Sequence, residues 1–141
     1  STLLIGQRDI DYLKNRPTTN ARRRLAPWFD GDSQYIGLTG DHDVFGDSSV
    51  TILSLPGHTH GHQGLLVKLA GDKYVLLSGD LYHYQAEIGK EIVSRWNKNR
   101  AETLASQKRF ESIIKVLTPI VIVQHDRQDI KKLPQFPEHL K

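Results

Sequence analysis

The sequence predicts a mixed α/β fold with helices lying on the faces of a sheet, and three features predict it. Short β-branched or aliphatic runs follow one another at 35–38, 50–55, 64–69 and 74–77, separated by Gly and Asp turn chemistry. One long amphipathic segment, 100–117, comes next. The apolar run Ile120-Val121-Ile122-Val123 then reads as a buried strand. Several strands, a helix and a further strand, with no internal repeat, fit a layered α/β arrangement. The strands are too few and too local to close a sandwich alone.

Taken in order, Leu3 to Gly6 reads as a strand and Gln7 to Asn15 as a short helix with Ile10 and Leu13 turned inward. Pro17, Arg22-Arg23-Arg24 and Pro27 then predict a long loop. Trp28 and Phe29 are apolar residues within it, and a packing anchor is the ordinary role of such a pair, a substrate wall the rarer one. Gly71-Asp72 supplies a turn between the third and fourth runs. In the long helix, Leu104, Ala105, Phe110, Ile113, Ile114 and Leu117 form the apolar face, Asn99 is the N-cap and Pro119 the stop. The tail from Gln128, with Pro134 and Pro137, reads as a helical turn followed by extended chain.

The chain has the length of one domain, 141 residues, and its 38% hydrophobic and 25% charged composition is that of an ordinary globular protein. Net charge is only +3. The arginine run lacks interleaved aromatics and does not recur, so it reads as a solvated loop face rather than a nucleic-acid surface. The absence of cysteine excludes disulfides, thiolate zinc sites and a cysteine nucleophile. No stretch approaches the ~18 apolar residues of a membrane span, and the compartment stays open. Ser1 stands where an initiating methionine would and leads straight into a core-like strand, so the expectation is a segment of a longer chain.

Three apolar runs end on metal-competent residues. They are Leu53-Ser54-Leu55-Pro56-Gly57-His58-Thr59-His60-Gly61-His62, Val75-Leu76-Leu77-Ser78-Gly79-Asp80, and Ile122-Val123-Gln124-His125-Asp126. A lone histidine after a strand is ordinarily a surface or hydrogen-bonded residue, and Gly-Asp alone is a common turn. Three such endings in one small domain are harder to assign to coincidence, because loops at the ends of rigid strands are where binding groups can converge. Imidazole and carboxylate without thiolate suit zinc, manganese or iron in a hydrolytic rather than a structural site. His60, His62 and His83 cannot all be ligands. His60 is read as lining the rim, His62 as hydrogen-bonding the groups around the site, and His42 and His139 as solvent-facing or structural.

The ordered set from Gly40-Asp41-His42-Asp43 through Pro56-Gly57-His58-Thr59-His60-Gly61-His62-Gln63, Leu77-Ser78-Gly79-Asp80 and Gln124-His125-Asp126 resembles the metallo-β-lactamase superfamily. Its nearest branch in this resemblance is that of the N-acyl-homoserine-lactone lactonase-like proteins. The resemblance covers nearly the whole chain and implies the C-terminal half of an αββα sandwich with a two-metal site at the edge between its sheets. By position it implies that His58 completes the first metal's shell, Asp80 bridges both metals, and His125 is the last ligand of the second. Tyr82 and Tyr84, a few residues beyond Asp80, are equal candidates for a catalytic tyrosine, with packing beside the site as the plain alternative. His62 and His83 fall around the ligands. Two departures stand out. His60 replaces the usual proline, and the family's first motif, His-x-His-x-Asp-His, has no counterpart here, since His58 to Gln63 lacks its Asp and final His.

The resemblance therefore implies a metal-dependent hydrolase of a lactone or related ester, with two divalent ions, zinc by expectation, and a small-molecule substrate. Residues 1–141 form a partial domain in this reading, inactive by itself. A thioester hydrolase of the glyoxalase II type shares these motifs. A non-catalytic half-domain that binds metal weakly is the third reading, favoured by the absent first motif, and its uncovered strand edges would promote self-association.

Overall fold

The computed structural model describes residues 2–16, 18–31, 34–134 and 138–140. Pro17 and Pro137, read from sequence as loop and tail residues, lie outside the described residues. Strand β1 (Thr2–Gly6) leads into helix α1 (Gln7–Lys14), which buries Ile10 and Leu13 as their spacing predicts. The next segment departs from the loop expectation, for it holds two short helices, α2 (Asn20–Arg24) and α3 (Ala26–Phe29). Thr19 caps α2 by accepting the Arg22 N–H, and Pro27 falls in the first turn of α3, where a missing N–H costs nothing. Reading Pro27 as a breaker overlooked that position. Arg22 is tied to Asp30 through both terminal guanidinium nitrogens, Nη1 and Nη2, and lies over the Phe29 ring, which packs on Tyr35. Phe29 is thus a packing anchor. Strand β2 (Gln34–Leu38) closes the unit by pairing parallel to β1.

The second sheet contains β3 (His42–Asp43), β4 (Val50–Ser54), β5 (Gln63–Lys68), β6 (Tyr74–Leu77) and β7 (Ile120–Ile122), paired in that order. Its two-residue edge, β3, is too short to show in the sequence and places His42 opposite Ile52. Strands β4, β5 and β6 are successively antiparallel, whereas β7 runs parallel to β6. That direction requires a crossover, supplied by α4 (Arg100–Leu117). Consequently β4, β6 and β7 all run the same way and end on one edge.

Helix α4 starts and stops where the sequence reading places it, with the Asn99 side chain accepting the Glu102 N–H. Its buried face differs in its first half. Thr103, Ser106, Gln107 and Phe110 are buried, Ile113 and Ile114 are partly buried, and Ala105 is exposed. The reason lies in what these positions face: Phe110 enters the core of Leu53, Leu55, Leu76, Leu81, Tyr82 and Val123, while Ser106 donates to the Pro56 carbonyl at 2.7 Å. The N-terminal half of α4 thus packs on backbone and uses small hydroxyls where apolar periodicity suggests Leu104 and Ala105. Helix α5 (Arg127–Lys132) follows β7, capped by Asp126. Among the described residues no helix is long and apolar enough to cross a membrane.

Candidate metal centre

The shared direction of β4, β6 and β7 delivers the loops bearing His58, Asp80 and His125 to the same sheet edge. His125 Nε2 lies 2.7 Å from Asp80 Oδ1, and His58 Nε2 lies 3.3 Å from Asp80 Oδ2. The three side chains therefore meet through the carboxylate, one imidazole on each oxygen. The two histidines hold the Asp80 carboxyl well below the usual carboxylate range, His58 contributing most, and burial opposes them. Asp80 in turn raises the His58 imidazole above its ordinary value.

Each loop is fixed by neighbours. Around His58, Asp9 of α1 accepts the Thr59 hydroxyl at 2.6 Å and the Gly61 N–H at 2.9 Å. Backbone N–H groups of Lys98 and Asn99 donate to the carbonyls of His58 and Gly57. Gly57 has φ +134°, and a Cβ there would lie 2.4 Å from the Thr103 backbone nitrogen, so α4 seats directly on it. His62 is buried. Its Nδ1 lies 2.8 Å from the Leu55 carbonyl while its Nε2 accepts the Asp80 N–H at 2.8 Å, which together require a neutral ring protonated on Nδ1. Burial lowers its pKa, consistent with that neutral form. His62 thus ties the first loop to the second, and Gly79, with φ +57°, leaves no room for a Cβ beside its Nε2 (2.6 Å). Around His125, Asp126 accepts the Gln85 N–H, and Asp129 accepts from Gln85 Nε2 and the Val123 N–H.

The remaining candidates separate. His83 stacks on His125, ring centroids 5.4 Å apart. His60 packs against Tyr12 and lines a cavity of about 420 Å³ between α1, α2 and the His58 loop. Tyr84 is exposed at 59%. Tyr82 is corrected as a catalytic candidate: it is 0% exposed, packs on Phe110, and donates its hydroxyl to Glu111 at 2.9 Å. The turn at Gly79–Leu81 sends both Leu81 and Tyr82 into the core and leaves Tyr84 outside, and spacing alone could not separate the two tyrosines. Burial and then Glu111 raise the phenol's pKa, so the folded state binds this proton more tightly than the unfolded chain. The sign follows: Tyr82 contributes stability that is lost as pH rises above about 10, where the unfolded phenol ionises. Tyr82→Phe is expected to cost about 1 kcal/mol at neutral pH and to lessen the alkaline loss, as read in denaturant melts at pH 8 and 11. An unchanged alkaline profile would put the tyrosine elsewhere than in the core.

Asp9, Asn97 and Gln85 were not visible as site residues in the sequence, because none follows a strand or carries a motif, and Asp126 stood in the third motif only as the neighbour of His125. Asn97 Oδ1 lies 3.0 Å from His58 Nδ1, a link across 39 positions. As a metal site the donor set fits one description and excludes another. Among the described residues, no group of three His, Asp or Glu side chains could hold one ion. A closed structural site is therefore not formed. A carboxylate flanked by one imidazole on each oxygen does fit the shared part of a two-ion site, each ion taking further donors from elsewhere.

Solved structures of the metallo-β-lactamase fold match the fold of this chain. A crystal structure of a quorum-quenching N-acyl homoserine lactone lactonase aligns with 99% of this chain at TM-score 0.79 and 25% identity, the match covering 55% of that protein. A dizinc quorum-quenching lactonase, AidC, aligns over 86% of the chain at TM-score 0.59 and 14% identity, covering 47% of its own length. The fold is mixed α/β and corresponds to about half of a metallo-β-lactamase sandwich. In sequence, an N-acyl homoserine lactonase of Bacillus cereus is 32% identical over 106 residues, 75% of this chain and 41% of that protein. The lactonase AttM of Rhizobium radiobacter is 29% identical over 108 residues, 73% of this chain and 41% of that protein. No family model matches the chain. These relatives and structural neighbours support a lactonase-like branch of the metallo-β-lactamase superfamily, the match covering the C-terminal portion of those proteins. It spans about two-fifths of the length of the curated relatives it matches.

Proposed function

We propose that this chain supplies His58, Asp80 and His125 to a two-metal hydrolase site that opens the lactone ring of an N-acyl homoserine lactone. The observation that carries the reading is the Asp80 carboxylate with one imidazole nitrogen on each oxygen, in a chain whose relatives are lactonases. Two divalent ions, zinc by the chemistry of the donors, are the cofactor in this reading. Asp80 would be held in common by the two, with His58 holding one and His125 the other. The other ligands come from the portion of the relatives that these 141 residues do not span, so residues 1–141 are part of the catalytic domain. The chemistry such ions supply when bound is Lewis acidity, which brings the pKa of water toward ~7 and polarises a carbonyl.

Hydrolysis adds water across the ring ester. The acyl C–O bond breaks, the carbonyl carbon takes the hydroxyl, and the ring oxygen takes the proton. Within this chain, Asp80 holds the negative charge that keeps both ligand sets together, and His62 fixes its backbone from below. Tyr84, exposed near the carboxylate loop, is the hydroxyl proposed to donate to the oxyanion as charge develops.

The test is a substrate comparison on the intact, zinc-loaded protein. Ring opening of an N-acyl homoserine lactone should exceed cleavage of a glutathione thioester. The opposite preference would move the assignment to thioester hydrolysis. Failure on both substrates with zinc bound would leave a metal-binding half-domain.

A further inference from the structure

His58 and His62 sit four residues apart and both have Nδ1 against an oxygen acceptor, yet they differ in what the other nitrogen faces. In His62 the Nε2 lone pair is occupied by the Asp80 N–H. In His58, Nε2 points at the Asp80 carboxylate, where a ligand nitrogen must arrive without its proton. A neutral imidazole facing a carboxylate would by itself place its proton on Nε2, since that makes the hydrogen bond. Something must oppose this preference.

We infer that Asn97 selects the ring tautomer of His58, holding its proton on Nδ1 and leaving Nε2 free as a donor atom. Thr103 is fully buried, and its one hydroxyl proton goes to the Asn99 carbonyl at 2.8 Å. Toward Asn97, 3.1 Å away, the hydroxyl can then only accept, which fixes the Asn97 NH2 on that side. The amide oxygen is left facing His58 Nδ1 at 3.0 Å, and an amide oxygen accepts only, so Nδ1 must carry the hydrogen. The relay Asn99 carbonyl–Thr103–Asn97–His58 is therefore directional at every link.

Its anchor is the first turn of α4. Asn99 is the helix cap, accepting the Glu102 N–H, and Thr103 N donates to the Asn99 carbonyl at 3.0 Å. The helix that covers the sheet thus also sets the chemical form of an imidazole at its edge. Asn97 is a positioning residue, acting through His58 without touching substrate. An outer partner of this kind typically changes metal affinity 10- to 100-fold when removed.

The inference concerns the site proposed above, but its first readout needs neither metal nor substrate. Histidine side-chain 15N NMR of the metal-free full chain, at a pH above the His58 titration, reads the tautomer directly. In the native chain His58 should show a protonated Nδ1 and a bare Nε2. Asn97→Leu should move the proton to Nε2, where Asp80 accepts it. Thr103→Val, which keeps the packing but frees the amide to turn, should give a mixture, and Asn97→Asp should retain the native pattern. His62, held by the Leu55 carbonyl, is the internal control and should not change in any variant. Zinc affinity measured by competition should fall about 10- to 100-fold in Asn97→Leu and less than that in Asn97→Asp. A native His58 protonated on Nε2, or an Asn97→Leu spectrum like the native one, overturns the inference. The native spectrum alone decides it if a variant does not fold.

Discussion

Asp80→Asn in the intact protein is expected to reduce lactone hydrolysis by on the order of 10³-fold or more, the largest loss of any single change in this chain. The substitution keeps the side chain's shape and so isolates its charge. Both oxygens of Asp80 face imidazole nitrogens, at 2.7 and 3.3 Å. Replacing one oxygen by an NH2 puts a donor against a nitrogen that must itself be a lone-pair donor to metal, and removes the anion both ligand sets share. Backbone placement should survive, because the bond from Asp80 N–H to His62 does not involve the carboxyl. The measurement is kcat/KM together with zinc content by mass spectrometry under native conditions. Near-native turnover with both ions retained would remove Asp80 from the centre of the site and end its role as the shared ligand.

The second large effect is on stability. Gly57→Ala is expected to destabilise the fold by about 2–5 kcal/mol, combining backbone strain at φ +134° with overpacking against α4. An added Cβ would lie 2.4 Å from both the backbone nitrogen and the hydroxyl of Thr103, which is buried and cannot yield without moving the helix. The effect should be local as well as global. Gly57 precedes His58, and its carbonyl accepts the Asn99 N–H, so displacement of this turn also displaces the imidazole. Chemical denaturation measures the first consequence and zinc affinity the second. A loss below about 1 kcal/mol would mean that the helix does not seat on the turn as described. Gly40→Ala, where a Cβ meets nothing within 4 Å, is the matched control and should be near neutral.

Much of this protein was legible in its residues. The 3.6 periodicity with Asn99 before it and Pro119 after it located α4 to the residue, because capping and breaking are local chemistry. Among the described residues, all the strands but β3 lie within a residue of their apolar runs, and Ile10 and Leu13 are the buried positions of α1. The three strand-end motifs pointed to a possible metal site, and the family resemblance singled out His58, Asp80 and His125 within them. The errors are also local in origin. Thr19 as a cap and Pro27 in a first helical turn are signals that a loop reading passed over, and the polar half of the buried α4 face carries no hydrophobic signal at all.

The sequence by itself determined which residues could bind a metal and where the longer strands end, since both depend on side-chain type and near neighbours. Only the tertiary structure decided that β4, β6 and β7 point the same way, which brings three distant strand ends to one edge. It also decided that Tyr82 faces the core and that Asn97 reaches His58. Direction and partnership of this kind are set by long-range pairing and by which surface is buried, and no spacing along a single chain encodes them.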